Sequence, residues 1–300
     1  MKSKIVVMGI AAALTLTGVT VLGLPDQGGG GGGQTTVKDS VIVNENKNVT
    51  NLAVDNSKIN SGIEAKGSEI KNSVLVNENK NVTNLAVDNS KINSGIEANN
   101  AKIKDSVLVN ENKNVTNLAV GNSKINSGIE ANASDIKNSV LVNENKNVTN
   151  LAVDNSKINS GIEVNGSKVK DSVLVNENKN VTNLAVGNSK INSGIEANNA
   201  DIKNSVMVNE NKNVTNLAVD NSKINSGIEA NNAKIKDSVL VNENKNVTNL
   251  AVGNSKINSG ISANGADVKN SVIVNENKNV TNLAVQGSEI NSGVNLGDGK

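Results

Sequence analysis

The 300-residue sequence contains no Phe, Trp, Tyr, His, Cys or Arg, and its one proline is Pro25. Without imidazole or thiol there is no ordinary general base, nucleophile or soft metal ligand, and without guanidinium there is no bidentate fork for phosphate. A chain that is not an enzyme and holds no cofactor or metal is expected. No cysteine also means no disulfide framework. Thirty basic against 29 acidic residues leave a formal charge of +1, so no field recruits nucleic acid, and the missing aromatics remove stacking platforms for bases or sugars. Neither a nucleic acid nor a small-molecule substrate is expected as partner.

The N-terminus carries Lys2 and Lys4, an apolar run from Ile5 to Leu22, and small residues around Gly23. This order reads as a cleaved export signal over residues 1–23, with an uncleaved membrane anchor as the alternative. Six consecutive glycines, Gly28 to Gly33, make residues 24–35 a flexible tether.

From residue 36 onward the sequence is copied. The stretch NENKNVTNLAV begins at Asn44 and returns at 77, 110, 143, 176, 209, 242 and 275, a period of 33 without insertion or deletion. A fixed period of this length means one structural unit per copy, each stacking on the next. Asn, Ser, Val, Ile and Thr dominate the unit and no helix-length apolar stripe is present, whereas short alternating runs are, so strands are predicted. Three per unit are expected: NVTNLAV, SKINSGIEA and IKNSVLV, with NENKN as a turn and Gly62 as a bend or bulge in the second strand. The predicted stacking core is Leu52, Val54, Ile59, Ile63, Ile70, Val74 and Val76. The Asn columns, including Asn44, Asn46, Asn48 and Asn60, suit amide ladders along the stack.

A few columns change from copy to copy. Position 39 and its equivalents alternate as Asp39, Asn72, Asp105 and Asn138, and position 69 alternates in sign as Glu69, Lys102, Asp135 and Lys168. If residue i lies beside residue i+33 at about 4.8 Å, two unit charges there interact by just under 1 kcal/mol in water and about 3 at an effective dielectric near 20. Alternation then removes like-charge neighbours and selects the register. Glu45, Lys47, Lys58 and Glu64 recur with unchanged sign. Glu45 and Lys47 can neutralise one another; Lys58 and Glu64 are left without an assigned partner.

The expected fold is therefore all-β: a parallel β-solenoid with cross-β stacking, about eight 33-residue rungs over residues 36–300. Thr36, Val37, Asp39 and Val41 at one end and Asn291 and Val294 at the other are the expected joint between copies, because residues 34–300 make eight periods and three residues, so a second copy continues the register. Such a head-to-tail contact does not close and yields a filament. Asn-rich imperfect repeats such as SKINSGIEANNAKIKDSVLVNENKN resemble those of secreted bacterial functional amyloids, above all the Fap-type fibre subunit, with curli subunits further off. The resemblance implies an extracellular biofilm or cell-surface fibre whose partner is itself, aided by a nucleator and an outer-membrane or other secretion channel. The alternative reading is a β-helical surface adhesin or stalk that stays unpolymerised. The NVT triplets also match the N-glycosylation sequon, but a strand-edge role for the Asn and Thr is preferred; the NENKN turn offers oxygen ligands, but it lacks the Asp-rich, Gly-punctuated loops of calcium-binding repeats and Lys47 opposes a cation.

Overall fold

The computed structural model describes residues 36–297, so the expected signal segment and glycine tether lie outside the described residues. The expected parallel β-solenoid is what the chain forms: about eight turns of 33 residues, with no helix among the described residues. Every strand pairs in parallel with its equivalent one period on, as in Val107↔Val140 and Lys124↔Lys157. Identical positions therefore touch, which turns each sequence column into a physical column.

A rung holds four strands rather than three. In one full turn these are Val107–Val120, Lys124–Asn126, Ile129–Asn132 and Asp135–Lys137. NENKN, expected as a turn, lies inside the long first strand. The bend there is a single residue, Asn114, whose φ of 55° flips the strand's side-chain parity. Leu108, Asn110 and Asn112 face inward before it, and Val115, Asn117 and Ala119 after it. Asn tolerates this left-handed conformation better than a branched residue would.

That parity corrects part of the expected core. Ile59, Ile63 and Ile70 do point inward, Ile70 being fully buried. Leu52 and Val54, however, are exposed (56% and 39%), and Val74 and Val76 are half-buried on the outer face, while Leu75 fills the interior. Polar-out, apolar-in alternation fails here because the interior is itself partly polar. Three apolar clusters, one built on Leu108, Ile129 and Ile136, one on Ala119 and Ile125 and one on the Val115 column, share the interior with a seam of Asn110, Asn112, Asn117 and Ser127.

Gly128 and its equivalents bend SKINSGIEA into its two strands, as a bulge. Ser127 and Gly128 both donate their N–H to the Asn159 carbonyl (2.8 and 3.1 Å). Rungs approach so closely there that a Cβ on Gly128 would lie 2.1 Å from the Gly161 oxygen.

Candidate functional site

Inside the seam the amide ladders run from rung to rung. Asn110 Nδ2 donates to Asn143 Oδ1 (2.7 Å) and to the Ser127 carbonyl (2.6 Å); Asn112 repeats this with Asn145 and Ser127, and Asn117 donates to Asn150 (2.8 Å). The expected ladder residues Asn44 and Asn46 start two of these columns, bonding Asn77 and Asn79. Each net bond stabilises by about 1 kcal/mol, but a buried amide left unpaired costs about 1–3. The inner columns are thus uniformly Asn.

The ladders have direction. The inner columns beginning at Asn44, Asn46 and Asn51 donate toward higher residue numbers, whereas Asn81 donates back to Asn48 and Asn93 back to Asn60 (2.9 Å each). Asn51 was not among the residues singled out from sequence; its signal was its recurrence in every copy.

The charge-alternating columns split into two cases. At the corner column, Asn72 donates to Asp39, Asn138 to Asp105 and Asn204 to Asp171 (2.9–3.0 Å), so alternation makes pairs of rungs. All these residues have φ near +50°, which restricts the column to Asn and Asp as much as charge does. In the other column Lys102 sits in register between Glu69 and Asp135, and Asp135 beside Lys168. Lys102, Asp135 and Lys168 are exposed, and Asp267 of the same column pairs with Lys269 of its own strand (2.9 Å). These opposite charges face one another through solvent, where they are worth little.

Lys58 and Glu64, unpartnered in the sequence reading, are partners of each other (3.5 Å). The short strands on either side of the Ser-Gly bend turn their outward residues toward one another, forming a re-entrant groove. In the middle rungs Lys91 meets Glu97 at 3.0 Å and Lys124 meets Glu130 at 2.6 Å, with the carboxylates almost wholly buried. Asn132 also donates to Glu130 Oε1 (2.7 Å), while the Oε2 atoms of Glu97, Glu130, Glu163, Glu196 and Glu229 have no hydrogen-bond partner among the described residues. Burial pushes the Glu163 carboxyl up, but the Lys157 ammonium, then Lys190 and the Asn165 amide, outweigh it and hold it below the usual carboxylate range. Lys157 suffers the same burial, yet Glu163 in front of it and Glu130 and Glu196 on adjacent rungs raise it above an ordinary lysine. On the outer face Glu45 and Lys47 do pair, whereas Glu144 is raised by burial and by the stacked carboxylates of Glu177 and Glu111.

The groove changes at both ends. In the first rung Glu64 takes Lys66 as well as Lys58. In the seventh, Ser262 stands in the glutamate column; in the eighth, Glu289 stands in the lysine column and Asn295 in the glutamate column. The groove widens there into a cavity of about 110 Å³ lined by Lys256, Ser262, Asn264, Glu289 and Asn295 among others.

The expected joint residues fall on or next to the outermost strands among the described residues. Thr36 and Val37 lie on Thr36–Lys38 with Asp39 just after it, and Val41 opens Val41–Lys47; Asn291 and Val294 lie on Glu289–Asn291 and Val294–Asn295 at the opposite end. Among the described residues, each of these strands has a neighbour on one side only. Val41 and Val294 are 60% and 47% exposed, while Val37 is already buried against the core.

No protein-family model matches the sequence, and no curated protein is significantly similar to it. Among solved structures, QnrB1, a plasmid-mediated fluoroquinolone resistance protein, gives a TM-score of 0.16 at 9% identity over 74% of this chain and 91% of its own. HetL, a pentapeptide repeat protein of the cyanobacterium Nostoc, gives 0.16 at 8% identity over 83% and 90%. The Streptococcus pneumoniae surface protein and adhesin PfbA gives 0.14 at 8% over 81% and 91%. At these scores the alignments share no detailed geometry with this chain, whose fold rests on its own strand register.

Proposed function

We propose that this chain is a structural subunit that self-assembles head-to-tail into an extracellular β-solenoid filament. The observation that carries the reading is the complementarity of its two outer rungs. At the high-numbered end, Asn275 and Asn277 spend one N–H each on the Ser292 carbonyl (2.8 and 2.5 Å) and, among the described residues, give the other to no further rung. At the low-numbered end, the Asn44 and Asn46 side-chain oxygens receive no donor from a rung before them among the described residues, while their amides are already given to Asn77 and Asn79. The outer columns are complementary in the reverse sense, Asn48 having a donor to spare and Asn279 an acceptor. Heads therefore match tails, and neither matches itself. Unpaired strand edges add the backbone bonds of a further rung to the same contact.

Negative-stain microscopy and fibre diffraction of the purified chain test this. Unbranched filaments with a meridional spacing of about 4.8 Å are expected, elongating from added seeds. A monodisperse rod at all concentrations, inert to seeds, would overturn the reading and leave the unpolymerised stalk in its place.

A further inference from the structure

We propose that Glu289 is the joint residue of the filament: it receives Lys58 of the next copy and so fixes which end binds which, and in what register. The proposal rests on the head-to-tail reading and assigns the contact that polarises it.

The lysine column of the groove runs Lys58, Lys91, Lys124, Lys157, Lys190, Lys223 and Lys256, and then becomes Glu289. From Lys58 to Lys223 each lysine finds its glutamate within its own rung. Lys256 has Ser262 where that glutamate would be, and it reaches across the rung step to Glu289 instead, at 3.0 Å through Oε2. Glu289 remains 70% exposed on the outermost rung. A carboxylate there can hold two ammonium groups, as Glu64 does with Lys58 and Lys66 at the other end.

A rung added in the same register at that end is the first rung of another copy, and it places Lys58 of that copy about 4.8 Å above Glu289. The column then reads Lys256, Glu289, Lys58, alternating in sign across the joint. Two tails brought together would present Glu289 on both faces and Lys58 on neither, and two heads the reverse, so neither pairing joins the two charges. A copy rotated about the filament axis, so that another column lay above Glu289, would take Lys58 away from it. The competing role for Glu289 is a cap, in which its bond to Lys256 closes the groove and discourages a further rung. The two roles predict opposite signs.

The test compares seeded elongation of the wild-type chain, Glu289→Lys, and Glu289→Lys with Lys58→Glu, after circular dichroism has shown the same strand content in each. For a joint, Glu289→Lys raises the critical concentration about three- to tenfold, the swing from an attractive to a repulsive exposed pair. The double variant recovers most of it, and the difference shrinks in 1 M NaCl. Should Glu289→Lys elongate as well as the wild type, the proposal is wrong; elongation better than the wild type would assign the cap instead. Wild-type chains that form no filament sink the polymer reading itself, a separate outcome from wild-type filaments indifferent to residue 289.

Discussion

Asn143→Asp exchanges one NH₂ for an oxygen of nearly the same size, at a side chain that is wholly buried. In the wild type, Asn143 Nδ2 donates to the Ser160 carbonyl at 2.6 Å and to Asn176 Oδ1 at 2.7 Å, while its own oxygen accepts from Asn110 at 2.7 Å. Aspartate preserves the last bond and turns the other two into oxygen–oxygen contacts. Ser160 keeps a donor from Asn145 (2.7 Å), but Asn176 Oδ1 is left without its ladder partner. One orphaned buried acceptor costs about 1–3 kcal/mol, and a carboxylate without a cation costs several more. A loss of at least about 4 kcal/mol at pH 7 is expected. Asn147→Asp is the control, because Asn147 is exposed at a positive-φ corner, where aspartate is tolerated and one solvated bond is worth at most about 1 kcal/mol. The sequence runs a related comparison: another exposed positive-φ column carries Asp39 and Asp105, whereas no copy puts Asp into the inner ladders.

The pH dependence gives a second readout with a definite sign. The buried carboxyl introduced by Asn143→Asp would have its folded pKa raised above its unfolded value, so its favourable, protonated contribution is present below the unfolded pKa and is lost as pH rises through the folded one. The gap between Asn143→Asp and wild type should therefore widen from pH 3 to pH 7. Urea unfolding followed by circular dichroism, with hydrogen exchange over residues 140–176 to localise the damage, measures both. Asn143→Asp within about 1 kcal/mol of Asn147→Asp, or a gap indifferent to pH, would refute the buried-ladder account.

Gly128→Ala should separate its rung from the next, because moving a Cβ away from the Gly161 oxygen at 2.1 Å needs a shift near 1 Å and breaks the Ile129 N–H bond to that oxygen (2.9 Å) and its neighbours; a loss of about 3 kcal/mol in urea melts is expected. Ala133 sits at φ 49°, where its equivalents Gly67 and Gly166 are glycines, so Ala133→Gly should stabilise by about 1 kcal/mol, checked by a rise in the urea midpoint. Stability should also fall at both pH extremes. The lowered Glu163 contributes stability that is present above its ordinary value of 4.5 and lost as pH falls through its folded value; the raised Lys157 contributes stability present below 10.5 and lost as pH rises through its own. Thermal melts from pH 2 to 12 should show both limbs, with Glu163→Gln weakening the acid one. Glu144→Gln should raise the midpoint slightly, by about 0.2–1 kcal/mol, since it relieves two stacked carboxylates.

The period of 33 and the i to i+33 register were legible because exact copying leaves little else for a stack to do. The Asn44 and Asn46 ladders followed from the same register. What alternation could not convey is which parity faces inward once amides satisfy one another. A satisfied Asn column is as acceptable inside as Leu75, and Val74 and Val76 then serve as half-covered outer ladders. Nor does alternation survive a left-handed residue. Asn48 in the first rung and Asn81 in the second reverse the face, which is why Leu52 and Val54 point outward although their spacing matches a core strand. Lys58 and Glu64 are six residues apart on two different strands, and only the re-entrant bend at Ser61 and Gly62 makes them neighbours.

The same geometry decides which columns are free to vary and which like charges are tolerated. Two of the corner columns at φ near +50° alternate, one between Asp and Asn and the other between Asp and Gly; Asp88 is followed by Gly121, above whose Cα the Asp88 carboxylate sits where a Cβ would be only 2.7 Å away. In the groove, Lys and Glu each stack on their own kind, in columns of seven and six, which the sequence alone made a puzzle. Each like-charge neighbour lies about one rung spacing away, whereas the opposite charge lies at 2.6 Å in the same rung for Lys124 and Lys157. Coulomb energy falls with distance, and the opposite charges of the adjacent rungs add to the lateral pair, as Glu130 and Glu196 do beside Glu163 for Lys157, so that together they outweigh the two axial repulsions. Two neighbouring columns of opposite sign are thus a stable way to repeat one charge per rung without limit. Only where a column loses its lateral partner, as Lys256 does at Ser262, must the sign alternate along the stack, and there the sequence supplies Glu289.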